Sequence, residues 1–441
     1  MKTVLTTFVL ATSFALAAAN DTFLIRNITV HPVTGPKLDN ASVLVMDGKI
    51  SEVGAKVNVP KGVKIIEGKG LHVYPGMINS ATEVGMSEIG SIRETSDTGE
   101  LGEFNPQLRS SIAVNPSSEH IPVTRANGIT AVITLPGGGS TDNRGFAFGA
   151  LNPIIVGQSA LMHLDGWTWE EMELKRTAAI QMKFPVIQMM SARAMMMDLP
   201  GAFPRNTFAE AKKSYERRIQ AMHEFFEQAR RYQKSKESNQ PGLRRDLKFE
   251  AMIPVLEGKV PLMVVAPRNR TIRDAIEFSQ KEKIKIILAG LDELGENGPK
   301  IKELGIPVIL GETLALPTAE DDPYDSNATL PGQLYKAGIK FAFGTFDTQF
   351  ARNLPYQAAT AVAYGLPYEE ALKAVTINAA EIWGVAGEVG SIDKGKWADL
   401  IVTDGDPLET NTQIKQMFIK GKAVDLTSRH TKLFDKYMSR Q

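Results

Sequence analysis

The feature that most constrains this chain of 441 residues is the regular return of short apolar runs after Gly76. These runs alternate with longer segments of helical periodicity, which is the pattern of repeated βα units. We place eight runs, at 73–78, 129–135, 153–156, 186–190, 261–266, 284–289, 307–310 and 340–343. Eight strands alternating with helices predict an α/β fold, a (β/α)8 TIM barrel over residues 77–384.

The two ends of the chain have a different pattern. Short stretches of apolar alternation, such as FLIRNITV and ASVLVMDGKISEVG, are broken by turn signals including Asp47-Gly48. The same texture returns in WADLIVTDGDPLE and IKQMFIKGKAV. We therefore predict that residues 20–76 and 385–428 form one small β-sandwich domain from both chain ends. Residues 429–441 form a tail with a short helix.

Between the fourth and fifth predicted strands lies a long polar segment from about residue 207 to 236. Its apolar residues Ile219, Met222, Phe225 and Phe226 recur at three- and four-residue steps, which predicts a surface helix added to the barrel. A flexible loop is expected at 235–242.

The first 19 residues have the composition of a secretory signal peptide. One lysine precedes an apolar run over 4–17, which is shorter than the roughly 20 residues that span a bilayer, and alanines follow it. We expect cleavage between Ala17 and Asn20, a periplasmic or secreted product, and no membrane span. The chain has no cysteine, which excludes disulfides and a lipid-modified cysteine, so its stability must come from burial.

Charge argues against a nucleic-acid partner. Lysine plus arginine and aspartate plus glutamate each total 50, so no net field would attract nucleic acid. The basic stretch over 212–245 is interleaved with glutamates, which is typical of a solvated helix face.

Two motifs resemble a known family. VLVMDGKISEVG with GLHVYPGMIN, and EEALKAVTINAAEIWGVAGEVGSIDKGKWADLIVTDGDPL, resemble the amidohydrolase superfamily, and in particular its imidazolonepropionase-related group. The resemblance covers nearly the whole chain after the signal peptide. It implies a barrel whose strand ends hold one or two divalent metals, normally zinc, that activate water for attack on non-peptide carbon–nitrogen bonds.

The positions that carry metal ligands in that family hold other residues here. The family's aspartate and His-x-His pair after the first strand correspond to Asn79, Ala81 and Glu83. The fifth-strand and sixth-strand histidines correspond to Val265 and Ala289. The metal-binding aspartate after the eighth strand corresponds to Phe346.

No shift of alignment restores these ligands, because the six histidines of the chain include no H-x-H pair. We therefore expect no metal cofactor. Lys183 is a loose match to the family lysine that can bridge two metals as a carbamate, and its role stays open.

Three carboxylates remain at predicted strand ends, Glu83, Glu312 and Asp347, and they are the candidate catalytic residues. The C-terminal face of a barrel gathers such residues. With Arg268, a candidate ligand-binding residue just past the fifth strand, they would form a polar pocket for a charged ligand. Three alternatives remain: an ordinary polar rim, a metal-free acid/base pair of Glu83 and Asp347, or a calcium or magnesium site.

The segment MHLDGWTWEEM contains a second candidate ligand-binding residue, His163. Thr168 and Glu171 have the spacing of a helix capping box, so we interpret Asp165 and Trp167 as structural residues.

Two functional hypotheses follow. In the first, the chain is a degenerate member of the family that binds a small-molecule ligand or supports an active amidohydrolase paralogue as its partner subunit. In the second, it is a hydrolase of carbon–nitrogen bonds with a rearranged or metal-free carboxylate site.

Overall fold

The computed structural model describes residues 21–90, 92–137, 153–187, 207–317 and 321–440. The predicted signal peptide over 1–19 and its cleavage site lie outside these residues. Inside them, no helix is both long enough and apolar enough to cross a membrane.

Strands from both chain ends form one sheet beside the barrel. The first end supplies β1 (Phe23–Val30), β2 (Leu38–Met46), β3 (Lys49–Gly54), β4 (Lys64–Glu67) and β5 (His72–Pro75), and the second supplies β14 (Leu400–Thr403), β15 (Ile414–Ile419) and β16 (Lys422–Ala423). Their order is β16-β15-β14-β5-β1-β2-β3, with β4 also paired to β1. The rings of Phe23 and Phe418 stack at 4.4 Å although their strands are not neighbours, so the sheet folds over its own core. This confirms a small sandwich built from both ends.

A second eight-stranded sheet forms the barrel. Its strands are β6 (Met77–Thr82), β7 (Ile129–Thr134), β8 (Ile155–His163), β9 (Glu173–Lys183), β10 (Leu262–Val265), β11 (Ile286–Ala289), β12 (Val308–Leu310) and β13 (Phe341–Phe343), paired in sequence order. The seam between β13 and β6 closes where the N–H groups of Thr345 and Phe346 donate to the main-chain oxygen of Ala81, at 2.9 and 2.8 Å.

One barrel strand departs from the all-parallel expectation. β8 is antiparallel to both β7 and β9, whereas the other neighbouring pairs along the sheet are parallel. Only residues 164–172 connect β8 to β9, and a parallel crossover needs about a dozen residues or more. The connection therefore forms a hairpin, and His163 ends at the face opposite to the C-terminal ends of the parallel strands.

Two predicted strand positions were also wrong. The run over 73–78 is divided between β5 in the sandwich and β6 in the barrel, on either side of Gly76. A Cβ at Gly76 would lie 2.2 Å from the Thr130 hydroxyl oxygen, so only glycine fits this junction. The fourth strand is β9, upstream of the predicted 186–190; residues 186 and 187 are not in a strand, and 188–190 lie outside the described residues. The charged residues in its first half, ELKR, hid it from an apolar pattern.

The helices of the described residues cover the barrel and the chain end. They are α1 (Ser110–Ala113), α2 (His120–Arg125), α3 (Trp169–Met172), α4 (Phe208–Glu237), α5 (Leu247–Leu256), α6 (Asn269–Glu282), α7 (Gly298–Glu303), α8 (Ser326–Ala337), α9 (Leu354–Ala363), α10 (Tyr368–Ala374), α11 (Ile377–Ile382) and α12 (Arg429–Met438). Short 3-10 turns lie at Arg93–Thr95, Gly295–Asn297 and Ala351–Asn353.

The long helix and the terminal helix confirm their predictions. α4 begins after Thr207, which forms a full capping box with Glu210. Its apolar face buries Met222 and Phe226 completely, as the three- and four-residue spacing indicates. At α3, Thr168 accepts from the Glu171 N–H, while the Glu171 carboxylate accepts from the N–H of Trp167, so the predicted box is only half formed.

Candidate functional site

The predicted carboxylates lie at the same end of the barrel. Glu83 follows β6 directly, Glu312 comes two residues after β12, and Asp347 follows β13. Lys183 is the last residue of β9, level in register with Val265 of β10. We call this group, Glu83, Lys183, Glu312 and Asp347, the mouth cluster.

Lys183 is held inside the mouth. Its Nζ donates to the main-chain oxygen of Gly137 at 2.6 Å. Burial lowers the pKa of the lysine, and the nearby Glu83 carboxylate acts in the opposite direction. Burial therefore disfavours the charged form of the lysine, whereas the carboxylate favours it.

Glu312 has the environment of a carboxylate that resists ionisation. Burial raises its pKa, and the negative charge of Asp347 raises it further. Its Oε1 is buried and has no hydrogen-bond partner among the described residues. Such an oxygen is available to a ligand, and the raised pKa favours retention of a proton.

Asp347 is partly fixed by the barrel seam. Its main-chain oxygen accepts from the Thr82 hydroxyl at 2.6 Å, and its Oδ1 accepts from the Phe350 N–H at 2.8 Å. These bonds hold the loop after β13 against the end of β6, which places Asp347 beside Glu312.

Hydrocarbon fills the places where the family would hold histidines. Ala81 and Ala289 are fully buried and belong to one apolar cluster with Phe346, against which Val265 packs. A Cβ at Gly344 would lie 2.8 Å from the Cβ of Ala81, so the backbone has closed around the small side chain. The short distance means that position 344 accepts only glycine beside Ala81.

Phe346 has an unusual backbone. Its φ is +51°, in the left-handed region that costs a non-glycine residue energy. The ring is nonetheless buried, with 7% exposed, and faces Gly311. Packing of the ring with the apolar cluster stabilises this conformation.

Asn79, at the family's aspartate position, is used inside the fold. Its Nδ2 donates to the Thr345 hydroxyl at 2.9 Å, and its Oδ1 accepts from the N–H groups of Thr345 and Ala81, at 3.1 and 3.3 Å. The amide is completely buried. It ties β6 to the loop after β13 and has little capacity left for a metal.

The residues present do not fit a zinc centre. Zinc sites take three or four nitrogen, sulfur or carboxylate donors around one point. Among the described residues, no group of three or more histidines and carboxylates lies close enough together to hold a metal ion. The chemistry at this end of the barrel therefore depends on the side chains of the mouth cluster.

Sequence reasoning missed two buried amides. Gln181 of β9 is fully buried in the barrel interior, level in register with Met263, and neither its Oε1 nor its Nε2 has a partner among the described residues. The Oε1 of Gln357 in α9 is likewise unpartnered, while its main-chain oxygen accepts from Thr313 next to Glu312. A signal existed: Gln181 interrupts the apolar run AAIQM two residues before Lys183, on the same strand face.

Arg268 has a structural partner. Its guanidinium donates to both carboxylate oxygens of Asp322, at 2.9 and 2.7 Å, and its Nε lies 3.5 Å from Asp292. This pairing raises the pKa of the arginine and joins the loop after β10 to the loop after β12. The Arg268 guanidinium, which was predicted to bind a ligand, is therefore already paired with a carboxylate.

His163 does not line the mouth. It lies at the other end of the barrel, fully buried, with its Nε2 at 2.8 Å from Asp399 of the sandwich. The antiparallel course of β8 put it there. Trp167, interpreted as structural, is 89% exposed, so that interpretation was wrong.

Comparison with known proteins agrees with this architecture. A sequence model of the amidohydrolase family matches residues 303–424. The crystal structure of an amidohydrolase from Thermotoga maritima superimposes with a TM-score of 0.76 at 25% identity, covering 91% of this chain and 99% of that one. The chain belongs to the amidohydrolase superfamily. The barrel and the sandwich described above are consistent with the fold of that superfamily.

Two relatives are similar in sequence. Amidohydrolase tasK of Hapsidospora irregularis is 24% identical over 443 residues, which is 91% of this chain but 43% of tasK. An imidazolonepropionase of Sphingopyxis alaskensis is 48% identical over 50 residues, 11% of this chain and 12% of that protein. This amidohydrolase-superfamily chain thus spans less than half the length of tasK and matches the imidazolonepropionase over a short segment only.

Proposed function

We propose that this chain is a degenerate amidohydrolase that lacks the metal-dependent reaction and binds a small-molecule ligand at the barrel mouth. The observation that carries the proposal is the set of side chains at the ligand positions. Ala81, Val265, Ala289 and Phe346 offer no lone pair to a metal.

The composition of the mouth supports a ligand with hydrogen-bond donors, such as an amine or amide. The mouth cluster contains three carboxylates and one lysine, and the buried Oε1 of Glu312 has no partner among the described residues. A buried acceptor without a partner costs about 1–3 kcal/mol, so a donor supplied by a ligand gains this energy on binding.

Metal analysis of the purified mature protein tests the proposal. We expect well under one zinc per chain after growth in zinc-supplemented medium and dialysis against a weak chelator. Stoichiometric zinc that is lost in Glu83→Gln would overturn it. Zinc that persists in that variant and is lost only from chains lacking His430 would be surface-bound, and would leave the mouth metal-free.

A second candidate function is a metal-free hydrolase, and the raised pKa of Glu312 favours it. A carboxyl group that keeps its proton near neutral pH is suited to general acid catalysis, with Asp347 as the adjacent base. Hydrolysis of cyclic amides by chelator-treated protein that disappears in Glu312→Gln and in Asp347→Asn, and persists in the exposed control Glu303→Gln, would establish it. Turnover equal in all four proteins would come from a contaminant.

We also propose that the mature chain is periplasmic or secreted and that it supports an active amidohydrolase paralogue. Ala81, Val265, Ala289 and Phe346 motivate this proposal, because a chain whose side chains cannot hold the metal at these positions would support turnover by another subunit. Co-purification of the tagged chain with a paralogue that keeps its H-x-H pair tests this proposal. Recovery of the chain alone from cells that express both would contradict it.

A further inference from the structure

The terminal helix α12 presents an apolar stripe to solvent. Leu433, Phe434, Tyr437 and Met438 are 38, 64, 53 and 46% exposed, and no residue of the helix is buried. Their spacing of one and four residues places them on one side of the helix. The helix contacts α2, and its apolar side chains nevertheless remain 38% exposed or more.

Cations occupy a separate stripe of the same helix. Arg429, Lys432 and Lys436 follow at three- and four-residue steps, Arg440 comes two residues after the helix ends, and Asp435 is the only acidic residue of the helix. None of these four cations lies within 4 Å of a carboxylate oxygen of the described residues. A helix with an apolar stripe and a cationic stripe is the pattern of interfacial helices that bind anionic membrane surfaces.

A second exposed aromatic lies on the same side of the molecule. Trp167 shares with Arg429 and Lys432 the lining of a cavity of about 810 Å³, which Lys420 and Lys422 also line. Three acidic residues also line this cavity: Asp165 pairs with Arg125 at 3.1 Å, Glu171 accepts from the Trp167 N–H at 2.9 Å, and Glu119 is exposed. Tryptophan is enriched at the boundary between water and lipid.

We propose that α12, Trp167 and the cationic lining of this cavity form a docking surface for an anionic phospholipid membrane. The apolar stripe and the indole ring enter the interfacial layer, while the lysines and arginines contact the headgroups. The chain docks peripherally, with its mouth at the far end of the barrel free to bind a ligand. This inference is independent of the function proposed for the mouth.

Vesicle co-sedimentation tests the proposal with the full mature chain. We expect binding to vesicles of phosphatidylglycerol and phosphatidylcholine, weak or no binding to phosphatidylcholine alone, and a blue shift of tryptophan fluorescence that Trp167→Phe removes. Lys432→Gln with Lys436→Gln should weaken binding about thirtyfold, because each cation near an anionic surface contributes about 1 kcal/mol.

The apolar stripe has a matched control. Leu433→Ser with Phe434→Ser should abolish vesicle binding without unfolding the chain, because neither side chain is buried. Leu316→Ser with Tyr324→Ser, at residues 87 and 81% exposed near the mouth, should leave binding unchanged. Loss of binding in the control pair alone, or no binding to phosphatidylglycerol vesicles, would overturn the proposal. The proposal would also be overturned if light scattering showed a dimer that Leu433→Ser with Phe434→Ser converts to a monomer, and the chain did not bind vesicles.

Discussion

At the scale of single residues, the end of the barrel combines apolar packing with polar groups. Phe346 and Ala81 belong to one buried apolar cluster, and Asn79 donates to the Thr345 hydroxyl within the barrel seam. What remains polar is less well satisfied: Glu312, Gln357 and Gln181 all bury atoms without partners among the described residues. Groups of this kind reduce stability and are retained most readily where a ligand uses them.

Asn79→Asp tests the seam directly. The substitution removes the Nδ2 donor to Thr345 and puts a carboxylate into a fully buried position, so we expect a loss of about 1–3 kcal/mol in the free energy of unfolding. Urea denaturation measures it. If the variant instead gains stability when zinc is added, the carboxylate is coordinating metal, and this result would contradict the proposed loss of the metal site.

Glu312 predicts a pH dependence. Its folded-state pKa is raised above the unfolded value, so its ionisation destabilises the fold as pH rises through the raised pKa, and this penalty is absent below the unfolded pKa. Glu312→Gln should therefore melt at a higher temperature than the parent protein at about pH 8, and at the same temperature near about pH 4. A difference that is constant across the pH range would point to a packing effect of the amide.

At the scale of elements, α4 is attached to the barrel by more than its apolar face. Glu282 at the end of α6 is 6% exposed and accepts from His223 Nδ1 at 2.5 Å and from Arg230 at 2.6 Å. Arg230 also donates to the main-chain oxygen of Glu282 at 2.7 Å. These bonds join α4, which was predicted as a surface addition, to α6, a helix of the barrel.

Glu282→Ala should loosen this attachment. It leaves two donors unpaired in a half-buried place, for which we expect a loss of about 2–3 kcal/mol in the free energy of unfolding. Hydrogen exchange should increase first in α4. The matched control is Glu227→Gln, whose pair with Arg231 is 3.9 Å long and exposed, and which should change the stability by less than about 0.5 kcal/mol. Equal effects of both substitutions would contradict this account.

At the scale of the whole molecule, barrel and sandwich are joined by a buried pair. His163 Nε2 and Asp399 Oδ2 are 2.8 Å apart, and Asp399 also accepts from the Lys420 N–H at 2.8 Å. The main-chain oxygen of Asp399 accepts from Gly76, where the chain passes from sandwich to barrel. Polar contacts at the face opposite to the mouth therefore join the two parts.

His163→Phe should lower the melting temperature and leave ligand binding at the mouth unchanged. The substitution leaves the buried Asp399 carboxylate without its imidazole, at a cost of about 2–4 kcal/mol. Calorimetry of unfolding and ligand titration measure the two effects separately. A fall in ligand affinity with unaltered stability would indicate that His163 contributes to ligand binding.

Residue identity and local order determined much of this protein from the sequence alone. The strand texture at both ends, the apolar runs, the Thr207 cap and the substituted ligand positions are local patterns. They could be interpreted before any contact was known. The same holds for the grouping of Glu83, Glu312 and Asp347, because residues after parallel strands share one face.

Tertiary structure decided the rest. β8 runs antiparallel because its connection to β9 is short, and this reversal carries His163 away from the mouth. Arg268 meets Asp322 across 54 residues of sequence, which no local pattern indicates. Gln181 and Gln357 become significant only when the barrel closes around them, since burial without a partner depends on every neighbouring element at once.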